Sequence, residues 1–112
     1  NLALLYFDAR RFAEAVPQFE RAARGFAGRP EMAGAVPVIW SYLGLSLLGV
    51  GNPAAAEPHL LDAYKGYQKQ KSLTAAGQAR LRQVAQGLVK VYDSTGRPDE
   101  AARWRARLAA LP

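Results

Sequence analysis

Cysteine is absent from the 112-residue sequence, and histidine and methionine each occur once. Without cysteine the chain can form neither a disulfide framework nor a thiolate metal site, and it has no cysteine nucleophile. His59 has no cluster of carboxylates near it in the sequence. Because a metal site needs several converging ligands, we expect His59 to be a surface or packing residue, and we expect neither a metal nor a cofactor.

Catalytic motifs are missing as well. Asp99 and Glu100 are adjacent carboxylates, but neighbouring residues diverge on a helix, and the positive end of the helix dipole explains acids in a first turn. The glycines at 44, 49 and 51 lack the lysine and the serine or threonine that complete a phosphate-binding loop. The lysine, catalytic-loop and magnesium-binding motifs of protein kinases are also absent. The sequence therefore predicts a chain without enzymatic activity.

No charged residue occurs between Glu31 and Glu57. Proline, glycine and polar residues interrupt this stretch, and its helix would run only from about Val36 to Val50, shorter than the roughly 20 residues that cross a bilayer. A short helix that is apolar on nearly all sides is typical of a buried central helix. We therefore expect no membrane partner, and we expect a cytoplasmic location, which the lack of cysteine also fits.

The net charge of +6 is concentrated in the second half of the chain. Residues 1–64 hold five basic and six acidic side chains, giving −1, whereas residues 65–112 hold ten basic and three acidic, giving +7. Such a surface could steer an acidic protein, a nucleic acid or an anionic lipid toward the chain. The densest basic group comprises Arg97, Arg103, Arg105 and Arg107. On the final helix these side chains spread over more than half of the circumference, which favours a solvated surface over a nucleic-acid site.

Turn residues divide the chain into predicted helices. Gly51 can end one helix, Asn52 can cap the next, and Pro53 suits a first turn, where no amide partner is needed. The same chemistry returns at Gly96-Arg97-Pro98. Apolar residues recur at helical spacing on both sides of these turns. Short antiparallel helices joined by tight turns are therefore expected.

Internal repetition is the strongest signal in the sequence. A shift of 41 residues superposes Ala15 on Ala56 and Pro17 on Pro58, and a further shift of 45 superposes Ala56 on Ala101. Proline inside a helix costs about 3 kcal/mol, so its equal place in two successive units favours repetition over coincidence. The pattern predicts three helix pairs with a truncated first helix, at approximately residues 1–28, 36–70 and 74–111.

Small and large residues alternate at equivalent places in these units. The residues expected to pack between helices are Tyr6, Ala15, Phe19, Ala22, Trp40, Leu43, Gly44, Leu47, Ala56, Leu60, Ala63, Leu88, Tyr92, Ala101 and Trp104. This pattern resembles the tetratricopeptide repeat, in which small residues let paired helices approach closely. Arg105 and Leu108 depart from the family's pattern in the third unit, where we expect Trp104 to substitute.

The resemblance implies an all-α fold, a right-handed superhelical stack of three antiparallel helix pairs in a single domain over residues 1–112. The spacings of 41 and 45 exceed the usual 34 of this repeat. They are similar to the long repeats of kinesin light chain and related bacterial proteins. The segment from Leu88 to Leu108 resembles the C-terminal end of tetratricopeptide arrays attached to bacterial serine/threonine protein kinases.

The resemblance also implies a non-catalytic scaffold that binds a peptide or protein segment in a concave groove. The first helix of each pair would line the groove, with the candidates Leu4, Phe7, Ser41, Leu45, Leu48, Gln83, Gln86, Lys90 and Asp93. Packing between helices is the alternative role for the leucines. Other hypotheses are a regulatory or substrate-recruiting region of a bacterial kinase, a basic nucleic-acid-binding domain, and self-association through the truncated first helix.

Overall fold

The computed structural model describes residues 2–112, so Asn1, which the sequence places in the first predicted helix, lies outside the described residues. Helices account for all the regular secondary structure in this part of the chain, and it contains no β-strand. The α-helices are α1 (Leu2–Asp8), α2 (Phe12–Phe26), α3 (Val36–Gly49), α4 (Pro53–Gln68), α5 (Ala75–Ser94) and α6 (Pro98–Ala110). A short 3-10 helix, Pro30–Met32, lies between α2 and α3. The prediction of an all-α chain is confirmed for the described residues.

Side-chain caps and prolines determine where several helices begin. The Asn52 side chain accepts a hydrogen bond from the Ala55 amide at 3.3 Å, and α4 begins at the next residue. The Thr74 hydroxyl accepts one from the Gly77 amide at 3.0 Å at the start of α5. These bonds satisfy amides that have no carbonyl partner in the first turn of a helix.

The turns that join α1 to α2, α3 to α4 and α5 to α6 have the same backbone geometry. Each contains one residue with positive φ, namely Arg10 at 60°, Gly51 at 80° and Gly96 at 70°. The following amide donates to the carbonyl five residues earlier, as in a Schellman motif. These bonds run from Arg11 to Tyr6 at 2.8 Å, from Asn52 to Leu47 at 2.9 Å, and from Arg97 to Tyr92 at 2.9 Å. The three predicted units therefore share a turn as well as a sequence pattern.

Consecutive helices pack against each other along the chain, and α3 also contacts α5. The Phe7 ring of α1 meets the Tyr42 ring of α3 edge-on, with the ring centroids 4.9 Å apart. The helix α3 thus lies in contact with both α1 and α5. Among the helices of residues 2–112, none is both long enough and apolar enough to cross a membrane.

The core lies between the helices at the small residues of each unit. Ala15, Ala56 and Ala101 occupy equivalent places and are completely buried. Leu60 of α4, also completely buried, packs directly on the backbone of α3 at Gly44. A β-carbon on Gly44 would lie only 2.6 Å from the Leu60 Cγ atom, so this close approach requires glycine.

Most of the expected packing residues are buried. These are Ala15, Phe19, Leu43, Gly44, Leu47, Ala56, Leu60, Ala63, Leu88, Tyr92, Ala101 and Trp104, whereas Tyr6, Ala22 and Trp40 are partly buried. Trp104 packs edge-on against Tyr64 at 4.7 Å between ring centroids, and its neighbour Arg105 is exposed. On α1, Ala3 is buried, while Leu2 and Leu5 are 50% and 65% exposed. The apolar side of α1 that faces the other helices is therefore not the side that carries Leu2 and Leu5.

Candidate functional site

A groove of about 700 Å³ lies where α1, α3 and α5 meet. Its α5 wall carries Gln83, Gln86, Lys90 and Asp93, which are all exposed. Spacings of three and four residues place these side chains on one face of the helix. The polar wall therefore follows directly from the helical period of α5.

The apolar part of the groove comes from α1 and α3. Phe7, Leu45 and Leu48 line it and are partly buried. The Phe7 ring is held by edge-on contacts with Phe12 at 5.5 Å and with Tyr42 at 4.9 Å between centroids. These contacts restrict the orientations that the Phe7 side chain can adopt.

The structure brings seven of the nine groove candidates together around this depression. They are Phe7, Leu45, Leu48, Gln83, Gln86, Lys90 and Asp93. Leu4 instead lines a second depression of about 190 Å³ with residues that include Phe19 and Tyr42. Phe7 lines the groove and Tyr42 lines the second depression. Because their rings are in contact, these two side chains separate the depressions.

The prediction for Ser41 is wrong. Ser41 is completely buried, and its hydroxyl donates to the Pro37 carbonyl at 2.7 Å, one turn earlier on α3. The same hydroxyl lies 3.3 Å from the Tyr67 hydroxyl of α4. A serine inside a helix commonly bonds to the carbonyl four residues earlier. Ser41 therefore satisfies its hydroxyl within the core and offers no surface to a ligand.

Five further lining residues were not among the candidates: Arg10, Phe12, Gly49, Gly87 and Ser94. Helical spacing could have identified Gly49 and Gly87, which lie four residues after Leu45 and Gln83. A β-carbon on Gly49 would lie 2.2 Å from the Phe12 ring, so the ring packs on bare backbone there. Arg10 belongs to a turn, where side-chain direction cannot be derived from a period.

The charged side chains that line the groove differ in whether they have an ionic partner among residues 2–112. Asp93 accepts a hydrogen bond from Arg105 at 2.5 Å, so an arginine on α6 neutralises this acid. The side chains of Arg10 and Lys90 make no hydrogen bond or ion pair with any other residue in the described range. The groove therefore presents two positive charges beside its apolar floor that have no ionic partner in the part of the chain that the structure describes.

The basic group of the C-terminal half is largely occupied by contacts within residues 2–112. Arg97 pairs with Glu57 at 2.6 Å and Arg103 with Glu100 at 2.9 Å. The guanidinium of Arg107 lies 4.5 Å from the centre of the Trp104 ring. Together with the pairing of Arg105, these contacts engage all four arginines of this group.

The pair between Glu57 and Arg97 joins α4 to the turn before α6. Hydrogen bonding from Arg97 lowers the pKa of Glu57. Burial, together with the nearby Glu57, raises the pKa of Tyr92 to about 12. The guanidinium of Arg97 also lies 4.7 Å from the centre of the Tyr92 ring. The three side chains form an ionic and aromatic contact between successive units.

Ligands for a metal do not converge in the described residues. No group of three or more His, Cys, Asp or Glu side chains there could hold an ion. His59 is partly buried on α4, which does not line the groove. The groove offers apolar surface, amide and hydroxyl groups for hydrogen bonding, the two cations and the carboxylate of Asp93.

Residues 1–25 match the family model described as tetratricopeptide repeat. The match covers α1 and nearly all of α2, which pack against each other. No curated protein and no solved structure matches the chain. The match supports a tetratricopeptide repeat family, whose members generally mediate protein–protein interactions and are typically non-catalytic. It agrees with the helical repeats of the fold and with a protein-interaction scaffold.

Proposed function

We propose that the chain forms a right-handed superhelical stack of three antiparallel helix pairs and binds an extended segment of a protein partner in its groove. The equivalent turns at Arg10, Gly51 and Gly96 support the stack, because they join each pair in the same way. The contact of α3 with α5 supports it too, since neighbouring first helices pack together in such an array. The match of residues 1–25 gives the family context.

The observation that carries the binding role is the composition of the groove. Its floor is apolar at Phe7, Leu45 and Leu48, and its α5 wall is polar at Gln83 and Gln86. Glutamine amides can both donate to and accept from the backbone of an extended peptide. Ligand sites commonly combine an apolar surface with a few placed polar groups in this way.

The dimensions suit a short stretch of extended chain. The α5 wall runs from Gln83 to Asp93, which is about 15 Å at a rise of 1.5 Å per residue. An extended peptide advances about 3.3 Å per residue, so about four or five residues would follow this wall. A segment of that length can bury several side chains on the apolar floor while its backbone bonds to the glutamines.

A substitution that fills the groove tests the proposal. Gln86→Trp places a large side chain on an exposed groove position, and Asp62→Trp makes the same addition at an exposed position of α4. Peptides selected from a random ten-residue library on the unaltered protein should bind Gln86→Trp at least tenfold more weakly. Asp62→Trp should bind them normally. Fluorescence anisotropy measures both affinities, and equal binding by Gln86→Trp would refute the groove as the site.

A further inference from the structure

Arg10 has a backbone conformation that its side chain disfavours. Its φ of 60° is the only positive φ of a non-glycine residue in the described part of the chain. The equivalent turns of the second and third units carry Gly51 and Gly96 at this place. An L residue with a β-carbon is sterically disfavoured in the left-handed region, whereas glycine is not. Glycine would therefore suit the first turn better than arginine does.

No hydrogen bond or ion pair of the Arg10 side chain among the described residues accounts for an arginine at this turn. The adjacent Arg11 pairs with Glu14 at 2.6 Å, and its guanidinium lies 5.2 Å from the centre of the Tyr6 ring. Arg10, by contrast, has no ionic or hydrogen-bond partner for its side chain among residues 2–112, although it lines the groove. Residues held in disfavoured backbone conformations are frequent at functional sites.

Lys90 provides a second positive charge on the α5 wall of the same groove. It is exposed and, like Arg10, unpaired within the described range. The acid that lines the groove, Asp93, is occupied by Arg105. The groove therefore attracts negative charge, and its apolar floor requires that the ligand also carry apolar groups.

We propose that Arg10 and Lys90 recognise acidic side chains of the segment that occupies the groove. The partner would then be a protein segment in which Asp or Glu alternates with apolar residues that pack against Phe7 and Leu45. This inference rests on the proposed function and specifies its ligand class. A duplex nucleic acid, whose bases are stacked inside and whose surface is mainly phosphate and sugar, would satisfy the cations and leave the apolar floor uncovered.

Selection from a random ten-residue peptide library provides the main test. Peptides selected on the unaltered protein should contain Asp and Glu at about twice their input frequency or more. Selection on the Arg10→Gly, Lys90→Gln double variant should lose this enrichment, whereas Lys65→Gln, which removes an exposed lysine of α4, should keep it. Removing either groove charge should weaken the binding of an acidic peptide about two- to fivefold, as expected for exposed ion pairs. Because Arg10→Lys keeps the charge, it should retain most of the affinity that Arg10→Gly loses.

Thermal unfolding separates recognition from a structural role of Arg10. Because glycine relieves the strained turn, Arg10→Gly should melt about 2 to 4 °C above the unaltered protein while it binds acidic peptides more weakly. A lower melting temperature for Arg10→Gly would overturn the inference, since arginine would then be needed by the fold.

The remaining outcomes distinguish this inference from the proposed function. If selected peptides are not acidic and Gln86→Trp still blocks them, the acidic ligand is refuted and the groove function stands. If no peptide is enriched, both are refuted. If a 20-residue oligothymidine binds more tightly than the selected peptides and loses affinity in Arg10→Gly, the ligand is nucleic acid and the inference is wrong.

Discussion

The close approach of α3 and α4 at Gly44 should fail when a single methyl group is added. In Gly44→Ala the new β-carbon would lie 2.6 Å from both Cγ and Cδ2 of Leu60 and 3.3 Å from the Leu60 backbone nitrogen. Leu60 is completely buried, and its far side faces the backbone of α5 at Gly87. The leucine therefore has little room to move away, and the two helices must separate.

Two opposing terms determine the size of the effect. Overpacking a well-filled core costs about 1 to 3 kcal/mol, and the upper half of this range applies because backbone as well as side chain is crowded. Replacing glycine by alanine inside a helix gains about 1 kcal/mol in propensity. The net loss in the free energy of unfolding should be about 1 to 2 kcal/mol, which lowers the melting temperature of a domain of this size by about 4 to 8 °C.

Gly25→Ala is the matched control. Gly25 also lies inside a helix, but a β-carbon there would meet no atom within 4 Å, so only the propensity gain applies. Thermal unfolding followed by far-ultraviolet circular dichroism should give Gly25→Ala a melting temperature equal to or slightly above that of the unaltered protein. The melting temperature of Gly44→Ala should be clearly lower. Gly44→Leu should lower the melting temperature further than Gly44→Ala does. If Gly44→Ala melts at the temperature of Gly25→Ala, the packing of Leu60 on bare backbone is refuted.

Two further predictions concern the contacts between successive units. Glu57→Gln should melt below the unaltered protein at pH 7. Because Arg97 holds the pKa of Glu57 below its usual value in the folded state, the stabilisation exists above the ordinary carboxyl pKa and disappears as pH falls through the lowered one. Melting temperatures of the two proteins should therefore converge as the pH falls below the ordinary carboxyl pKa and through the lowered pKa of Glu57, and a difference that persists once Glu57 is protonated would contradict the ionic pairing. Trp104→Ala should lower the free energy of unfolding, measured with urea, by about 3 to 5 kcal/mol, because Trp104 is buried against Tyr64. A loss below about 1 kcal/mol would show that Trp104 does not hold α6 on the core.

Local sequence chemistry determined where the helices begin and end. Pro53 and Pro98 begin α4 and α6, as the turn residues before them predict, and Thr74 caps α5. Such signals act within three or four residues, so they need no knowledge of the rest of the fold. The equivalent small residues Ala56 and Ala101 were predicted as packing residues from helical spacing and from the repeated pattern, and both are completely buried.

Only the tertiary structure decided which side of each helix is free. The helix α3 contacts α2, α4 and α5 and is apolar on nearly every side, so its period could not separate the buried Ser41 from the groove-lining Leu45. The backbone of Arg10 was equally hidden, because a left-handed residue is recognisable in a sequence only when it is glycine or asparagine. Helical period depends on neighbouring residues of one chain segment, whereas exposure depends on which other segments pack against it.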